Sequence, residues 1–323
     1  MEIARERQEI SLDLSRGSCV TIGNFDGVHK GHQKLINRAI QKAKARNMTS
    51  VVVSFCPHPL KVLVGPNVAP FITVREQKLD ILESLGVDLT LLLNFTKEMA
   101  ALSPEEFVAT YLADWLNTKE LIVGYDYSFG KGRKGNFELL SSLGDKHGYQ
   151  AERLDPVIID SAIVSSTRIR DLIQAGDVWP VKALMGRFYV VRGSVVHGRN
   201  RGGRLLGFPT ANLKLQNEVY PKKGVYAIWV QLEHRFLPAV ANIGVNPTFG
   251  NEDLSVEAHI LDFDEDIYGH EMRVHFVQRL RDEKKFSGIE ELTARIREDV
   301  ALGRRILESP EAQIENPLLP NTP

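Results

Sequence analysis

The feature that most constrains the fold is a change in hydrophobic pattern partway along the chain. Up to about residue 165, short apolar runs such as 50–55 and 89–95 alternate with longer amphipathic runs such as 32–45. This alternation is typical of a parallel sheet with helices on both faces. From about residue 187, strand-like runs follow one another with Gly, Pro and Asn between them, which is typical of an antiparallel sheet or small barrel. We therefore predict two dissimilar domains with a short helical connector at 175–187.

Length and composition limit the class of protein. The 323 residues exceed the usual size of one domain. With 43% hydrophobic residues, 25% charged residues and a net charge of −1, the chain has the composition of a soluble globular protein, and we predict no general binding of nucleic acid or membrane. Two cysteines without CxxC spacing, Cys19 and Cys56, fit a reducing compartment. We expect a cytoplasmic protein that is a monomer or a weak homo-oligomer.

Capping residues predict where two helices begin. Ser103, Pro104 and Glu106 have the N-cap, first-position proline and capping-box pattern of a helix start. Ser287 and Glu290 show a second capping-box pattern near the end of the chain. The predicted buried stripe of that last helix consists of Ile289, Leu292, Ile296 and Val300.

The stretch VTIGNFDGVHKGHQKLI, residues 20–36, contains two histidines three positions apart, His29 and His32. An apolar run precedes them and an amphipathic run follows, so both lie at a predicted strand-to-helix turn. Backbone N–H groups and the helix dipole favour an anion at such a turn, and imidazoles can donate hydrogen bonds to phosphate oxygens. The glycines that would let a ligand approach the backbone are Gly23, Gly27 and Gly31. Phosphate chemistry is the predicted use, although half of a metal site and a tight turn with exposed histidines also fit the pattern.

Two other polar segments of the first half suit phosphate. In SSTRIR, Ser166, Thr167 and Arg170 offer hydroxyls and a guanidinium at a helix start, and an ordinary N-cap with solvated arginines is the alternative. In GYDYSFGKGRKG, residues 124–135, three basic side chains alternate with glycines. That segment fits either a phosphate contact or an exposed loop.

The second half carries a different set of polar residues. Residues 197–213 are rich in glycine and arginine and fit a flap over phosphates or a patch for RNA. In the strand-like PTANL, Thr210 and Asn212 share one face, and their oxygens suit Mg²⁺ held together with nucleotide phosphates. In SVEAHIL, Glu257 alternates with apolar residues and leaves the core face. A carboxylate there fits a general base for phosphoryl transfer, and a polar strand face is the alternative for all three residues.

Four motifs of the first half resemble one family, in that family's order. They are GNFDGVHKGH, FCPHP, VGYDYSFGKGRKG and VSSTRIRDLIQAGD. The first is similar to the HxGH signature of nucleotidylyltransferases, and all four resemble the adenylyltransferase half of bacterial bifunctional riboflavin kinase/FAD synthetases. The resemblance implies an α/β domain with a Rossmann-like parallel sheet.

The same resemblance implies roles for individual residues. His29 and His32 would bind ATP phosphates and stabilise the transition state. The other implied ATP-binding residues are Gly23, Phe25, Ser166, Thr167 and Arg170, and the implied flavin-binding residues are His58, Asp126 and Arg133. For His58, which lies between two prolines, a rigid loop histidine is the competing interpretation.

Motifs of the second half resemble the riboflavin kinase domain of that family. They are GFPTANL, KGVYA, NIGVNPTFG and VEAHILDFDEDIYG, again in order. The resemblance implies a small Greek-key β-barrel with a terminal helix. By carry-over Gly207 would lie at the ATP site, Thr210 and Asn212 would bind Mg²⁺ and ATP phosphate, and Glu257 would accept the proton of the riboflavin 5′-hydroxyl.

Together these observations predict a bifunctional enzyme of flavin cofactor synthesis. We expect an FMN adenylyltransferase domain at 1–183, a riboflavin kinase domain at 187–308 and a disordered tail at 309–323, with riboflavin, FMN, FAD and ATP as ligands. Two alternatives stay open. The first domain would adenylylate another phosphate, such as nicotinamide mononucleotide, or the chain would be a regulatory RNA-binding protein that uses its arginines.

Overall fold

The computed structural model describes residues 1–65, 68–197, 207–245 and 254–314. The chain divides into two compact units, the first comprising Met1–Ser165 and the second beginning at Ser166. This division lies N-terminal to the connector at 175–187, so the helix that carries SSTRIR is described with the second unit. The domain bounds 1–183 and 187–308 stay a prediction.

The first unit contains a six-stranded sheet in the order β1-β4-β3-β2-β5-β6, in which every neighbouring pair is parallel. The strands are β1 Glu2–Ala4, β2 Ser18–Ile22, β3 Thr49–Phe55, β4 Leu89–Leu93, β5 Thr118–Gly124 and β6 Gln150–Leu154, and a short hairpin of β7 Ile158–Ile159 and β8 Ala162–Ile163 follows. Parallel strands need crossover connections, and helices supply most of them, so the α/β prediction is confirmed.

Helices of the first unit cover both faces of this sheet. They are α1 Lys30–Arg46, α2 Pro59–Leu63, α3 Arg75–Ser84, α4 Lys97–Ala100, α5 Pro104–Phe107, which continues as a π-helical segment Val108–Trp115, and α6 Phe137–His147. In β3, Val51 and Val53 belong to one apolar cluster and Val52 to another, because successive strand residues point to opposite faces. The capping box of Ser103 and Glu106 is confirmed.

The second unit begins with α7 Ser166–Ala175 and α8 Trp179–Met185 and continues as a closed six-stranded barrel in the order β10-β13-β12-β11-β14-β9. The strands are β9 Tyr189–Val196, β10 Ala211–Leu215, β11 Gly224–Leu232, β12 Arg235–Val245, β13 Leu254–Ile260 and β14 Glu271–Arg281. All neighbours are antiparallel. Because β10 lies beside β13 while β11, β12 and β13 are connected in sequence, the topology is a Greek key, as predicted.

The last helix, α9 Ile289–Leu307, packs on the outside of the barrel. Gly303 permits a close approach, because a Cβ there would lie 2.8 Å from a methyl group of Val240. Asp299 is buried in this interface and accepts from Arg281 at 3.0, 2.9 and 2.7 Å, which satisfies the carboxylate where water is excluded. Residues 309–314, the start of the tail predicted to be disordered, include a 3₁₀ turn whose Ala312 carbonyl accepts from the Trp229 indole at 2.8 Å.

Two details of α9 differ from the sequence prediction. Its N-cap is Gly288, without a side-chain cap, and Ser287 interacts with Glu291 rather than Glu290, through its N–H at 2.9 Å and its hydroxyl at 2.7 Å. Glu291 is the third helical residue after Gly288, the position from which a side chain reaches back past the helix start. Ile289 of the predicted buried stripe is 61% exposed, whereas Leu292, Ile296 and Val300 are half-buried.

Candidate active sites in the two units

The HxGH turn, residues 23–32, connects β2 to α1 and places both histidines at the helix N-terminus. His29 is the N-cap of α1, and its Nδ1 accepts the backbone N–H of His32 at 3.3 Å. With Nδ1 accepting, Nε2 is the N–H donor of the neutral His29 imidazole. The two rings are stacked, with centroids 3.6 Å apart and planes 19° from parallel. The structure therefore brings together two imidazoles where the helix dipole favours an anion.

The Phe25 ring packs against His32 of the imidazole pair. Its side chain is only 1% exposed, and its ring meets the His32 ring edge-on at a centroid distance of 5.3 Å. The Phe25 backbone has a φ of +50°, which is uncommon for a bulky residue and must be stabilised by its surroundings. Its position predicts that Phe25 holds the His32 ring in place, in addition to the nucleotide contact implied by the sequence.

Two glycines of the HxGH turn have aromatic rings packed closely against them. A Cβ at Gly23 would lie 3.1 Å from the Phe25 ring, and a Cβ at Gly31 would lie 3.0 Å from the His29 imidazole. Both distances are shorter than ordinary van der Waals contact. The glycines therefore let the aromatic rings pack against the backbone, whether or not a ligand also uses the space.

Residues far along the chain hold the HxGH turn in place. Asp26, which is buried, accepts the backbone N–H groups of Ile72 at 2.9 Å and Thr73 at 3.2 Å. Lys78, in α3, donates to the Asn24 carbonyl at 2.9 Å and to the Ser54 hydroxyl at 3.2 Å. Burial lowers the pKa of Lys78, and the nearby Asp26 carboxylate acts in the opposite direction. Sequence reasoning missed Lys78, because its contacts lie about 24 and 54 positions away and nothing in its own helix marks them.

The structure places the three predicted flavin residues of the first unit in separate local settings. His58 is the N-cap of the short helix α2, accepts the Leu60 N–H at 3.1 Å and stacks on Phe71 at 4.2 Å. Asp126 is exposed after β5. Arg133 is exposed, has a φ of +57° and donates to Ser128 at 2.7 Å. These contacts fit the local loop interpretations and leave the flavin roles as predictions.

Ser166, Thr167 and Arg170 lie on α7. The two hydroxyl residues are its first two positions, and Arg170 follows one turn later. Ser166 and Arg170 are half-buried and Thr167 is exposed. A helix start that carries hydroxyls and a guanidinium is chemically suited to phosphate.

A polar row crosses three strands of the barrel. Asn212 of β10 and Asn242 of β12 are both register partners of Glu257 on the intervening β13. Val256 and Ala258, which flank Glu257, are buried in the barrel, so the row lies on the outer face. Thr210 comes directly before β10 and is half-buried. The structure thus brings a carboxylate beside two amide side chains, at directly opposed positions of the ladder.

Glu257 has an altered acidity in this row. Burial raises its pKa, and Glu283 raises it further. The Asn242 amide donates to Glu283 at 3.3 Å, which places the second carboxylate beside the same row. A raised pKa brings a carboxylate closer to the value that suits a general base near neutral pH.

The glycine- and arginine-rich segment 197–213, which fits a flap over phosphates or a patch for RNA, lies only partly within the described residues. Gly207, with a φ of +75°, is exposed, whereas Arg199, Arg201 and Arg204 lie outside the described residues. Along the described ranges, no group of three or more His, Cys, Asp or Glu side chains is arranged to hold a metal ion. In the same ranges, no helix is long and apolar enough to cross a membrane.

Family models match the two halves of the chain separately. A model described as FAD synthetase matches residues 12–168, and one described as riboflavin kinase matches residues 185–307. The first region contains the HxGH turn, and the second contains the polar row of Glu257. The chain thus combines an adenylyltransferase module with a flavokinase module.

Relatives of full length show the same combination. The Escherichia coli K12 protein named bifunctional riboflavin kinase/FMN adenylyltransferase is 35% identical over 94% of this chain and 97% of its own length. The Pseudomonas fluorescens protein of that name is 39% identical over 90% of this chain and 93% of its own length. This chain belongs to the bifunctional riboflavin kinase/FMN adenylyltransferase family. A crystal structure described as a macrolide-efflux protein from Streptococcus pneumoniae shares the fold, with 33% identity, a TM-score of 0.84 and coverage of 94% of this chain and 98% of that chain.

Proposed function

We propose that this chain phosphorylates riboflavin at the polar row of the barrel and adenylylates the resulting FMN at the HxGH turn, with the residues described above. The observation that carries the proposal is the presence of two separate constellations. A stacked imidazole pair lies at a helix N-terminus in one unit, and a carboxylate lies in register with two amides in the other. Each constellation lies within the residues matched by the family model for the corresponding activity.

In adenylyl transfer, a phosphate oxygen of FMN attacks the α-phosphorus of ATP. The bond to the β-phosphate breaks, so FAD and pyrophosphate are formed. His29 and His32 donate hydrogen bonds to the phosphate oxygens as charge develops, and the N-terminus of α1 adds its dipole. No proton has to be removed from an ionised phosphate nucleophile, which fits a turn that carries hydrogen-bond donors.

In riboflavin phosphorylation, the 5′-hydroxyl attacks the γ-phosphorus of ATP. Glu257 accepts the hydroxyl proton, the bond to the β-phosphate oxygen breaks, and FMN and ADP are formed. Asn212 and Thr210 orient the nucleotide phosphates from the same side of β10. This role requires a general base beside phosphate-binding groups, and the position of Glu257 directly opposite Asn212 supports it.

A hard divalent cation fits the second unit through the chemistry of its donors. Thr210 and Asn212 offer neutral oxygens, which suit Mg²⁺ when nucleotide phosphates complete its coordination. Mg²⁺ neutralises phosphate charge when bound. The proposal therefore takes Mg²⁺ with ATP, and it includes a cytoplasmic location.

The remaining residues enter the proposal through the resemblance of their motifs. Gly23, Phe25, Ser166, Thr167 and Arg170 are assigned to ATP in adenylyl transfer, and Gly207 to ATP in phosphorylation. His58, Asp126 and Arg133 are assigned to the flavin.

The experiment that tests the proposal is incubation of the purified chain with riboflavin, ATP and MgCl₂, followed by chromatography of the flavins. We expect FMN first and FAD later, with pyrophosphate formed in step with FAD. Competition by nicotinamide mononucleotide tests the acceptor, and we expect no adenylylation of that compound. Formation of neither FMN nor FAD would reject the proposal, and salt-sensitive RNA binding without ATP turnover would favour the RNA-binding alternative.

A further inference from the structure

Lys78 joins a closed set of hydrogen bonds at the base of the HxGH turn. Its ammonium donates to the Asn24 carbonyl at 2.9 Å and the Ser54 hydroxyl at 3.2 Å, and that hydroxyl also donates to the Asn24 carbonyl at 3.4 Å. The three residues come from three elements: the turn after β2, the end of β3, and α3. Lys78 is only 9% exposed. The Lys78 ammonium is therefore hydrogen-bonded inside the protein rather than solvated at the surface.

The segment that leads into α3 is hydrogen-bonded to the HxGH turn at a second place. Asp26 accepts the backbone N–H groups of Ile72 and Thr73, and Gly27 donates its N–H to the Thr73 hydroxyl at 3.1 Å. Asn24 and Asp26 are thus both anchored by residues 72–78. The residue between them, Phe25, has a left-handed backbone.

This arrangement links Lys78 to the imidazole pair. A bulky residue with positive φ persists only where neighbouring groups hold the backbone, and the Asn24 and Asp26 contacts hold it on both sides. The Phe25 ring then meets the His32 ring edge-on, and His32 stacks on His29. A displacement of the Asn24 peptide would therefore move the ring that supports His32.

Burying an ammonium is unfavourable unless it is hydrogen-bonded and close to an opposite charge. Lys78 satisfies both conditions through Asn24, Ser54 and the nearby Asp26 carboxylate. A methionine would fill much of the same volume without donating a hydrogen bond. The ammonium group is thus separable from the packing of its stem by substitution.

We infer that Lys78 is a positioning residue for adenylyl transfer, which fixes the Asn24 peptide and, through Phe25, the orientation of His32. This inference rests on the proposed assignment of adenylyl transfer to the HxGH turn. Lys78 does not need to touch either substrate. Its effect should therefore depend on the presence of the His32 imidazole.

The test is a double-mutant cycle in the full chain with Lys78→Met and His32→Ala, measured as kcat for FAD formation from supplied FMN. We expect Lys78→Met to lower kcat by about 10- to 100-fold, the range for loss of a hydrogen bond from a charged group. In the His32→Ala background we expect the same substitution to cost less than about threefold, because the group it positions is gone. A structural defect that lowers the fraction of folded enzyme would instead multiply with the His32 effect.

Controls separate this inference from the proposed function. Riboflavin phosphorylation in the same preparations should be unchanged, and Lys44→Met, at an exposed position of α1, should behave as the parent chain. If His32→Ala leaves FAD formation unchanged, the assignment of the site is wrong. If His32→Ala slows it but Lys78→Met does not, or if the two effects multiply, only the role of Lys78 is overturned.

Ser54→Ala provides an independent measurement should Lys78→Met fail to fold. It removes one hydroxyl from the same set of hydrogen bonds and leaves the ammonium in place. We expect about a two- to tenfold lower kcat for FAD formation, the range for a typical intramolecular hydrogen bond, because the ammonium keeps its bond to the Asn24 carbonyl. The effect should again be smaller in the His32→Ala background. An unchanged kcat, or an effect that multiplies with that of His32→Ala, would overturn the inference.

Discussion

The two candidate sites differ in how the backbone presents their polar groups. In the first unit, His29 and His32 lie on a turn whose shape depends on contacts with residues 72–78. In the second, Asn212 and Glu257 lie on neighbouring strands, where the ladder itself sets their spacing. A turn can present backbone N–H groups and imidazoles to an anion, whereas a strand row places one side chain directly opposite another. The first site suits stabilisation of charge, and the second suits proton transfer beside phosphate.

The difference also predicts how each site responds to distant substitutions. The HxGH turn includes a residue with a left-handed backbone and is held by a buried lysine and a buried aspartate. The polar row is held by backbone hydrogen bonds of a closed barrel. We therefore expect substitutions outside the catalytic residues to affect adenylyl transfer more readily than phosphorylation.

The largest expected effect tests whether the sites are independent. His29→Ala removes both an imidazole donor and the side-chain cap of α1, and we expect FAD formation from FMN to fall by about 10²- to 10³-fold. FMN formation from riboflavin should be unchanged, because no residue of the polar row is altered. Chromatographic initial rates for both reactions provide the measurement, with His147→Ala in the last turn of α6 as the matched control. Loss of both activities in a folded His29→Ala chain would contradict separate sites.

Glu257→Gln tests the independence of the two sites by altering the site in the second unit. The amide keeps the size of the side chain but cannot accept the hydroxyl proton, so we expect FMN formation to slow by about 10²- to 10³-fold. FAD formation from supplied FMN should be unaffected. Glu290→Gln, at an exposed position of α9, is the control. A variant with normal FMN formation would remove Glu257 from the mechanism.

The pH dependence of FMN formation follows from the same carboxylate. A general base acts in its ionised form, so the rate declines as the pH falls through its pKa. Because burial and Glu283 raise the pKa of Glu257, this decline should begin at a higher pH than for an ordinary carboxylate. The effect is measured as the rate of FMN formation by the parent chain and by Glu283→Gln. The pH is varied between 4 and 8, which is about the range in which a carboxylate of raised pKa titrates. A decline at the same pH in both proteins would show that Glu283 does not contribute.

Much of the fold could be predicted because apolar periodicity reports it directly. The amphipathic run 32–45 lies within α1, whose buried residues are Ile36, Ala39, Ile40 and Ala43, and the strand runs of the second half form the barrel. The HxGH turn was visible as a pattern of His and Gly at a strand-to-helix junction. Local spacing therefore predicted both the layers of the fold and the turn that carries the two histidines.

Other features depended on contacts that spacing does not encode. Lys78 looks like any lysine of an amphipathic helix until the fold brings it to Asn24 and Ser54. Asn242 and Glu283 join the row of Glu257 only through strand register and the segment after β14. The sequence predicted a capping box between Ser287 and Glu290. The helix begins at Ile289, however, so the side chain that reaches back to Ser287 is that of Glu291.

Asn212→Ala tests the nucleotide contact with a smaller effect. Removal of the amide next to Glu257 in the ladder should lower kcat/KM for ATP in riboflavin phosphorylation by about 10- to 100-fold, the range for one hydrogen bond to a charged group. FAD formation from supplied FMN should not change. Gln216→Ala, at an exposed position directly after β10, controls for a general effect on the strand. An unchanged kcat/KM for ATP would show that Asn212 does not contact the nucleotide.

The smallest expected effect concerns a buried histidine of the second unit. His275 lies in the barrel wall, and its Nε2 is 3.2 Å from the Gln231 amide oxygen. Burial lowers its pKa from 6.5 to about 3, and Arg273 and Arg187 contribute in the same direction. Between these values the unfolded chain binds a proton that the folded chain does not, so the free energy of unfolding decreases as the pH falls. From pH 7 to pH 5 we expect a loss of about 1 to 2 kcal/mol from this group.

Urea unfolding followed by tryptophan fluorescence measures this loss in the second unit. In a Trp115→Phe background, the two remaining tryptophans, Trp179 and Trp229, both belong to that unit. His275→Gln should reduce the loss between pH 7 and pH 5, because glutamine binds no proton in either state, whereas His234→Gln at an exposed hairpin position should leave it unchanged. The same loss in the His275→Gln chain would mean that other groups set the pH dependence of the barrel. It would also mean that His275 is not held neutral by burial in the way that its surroundings predict.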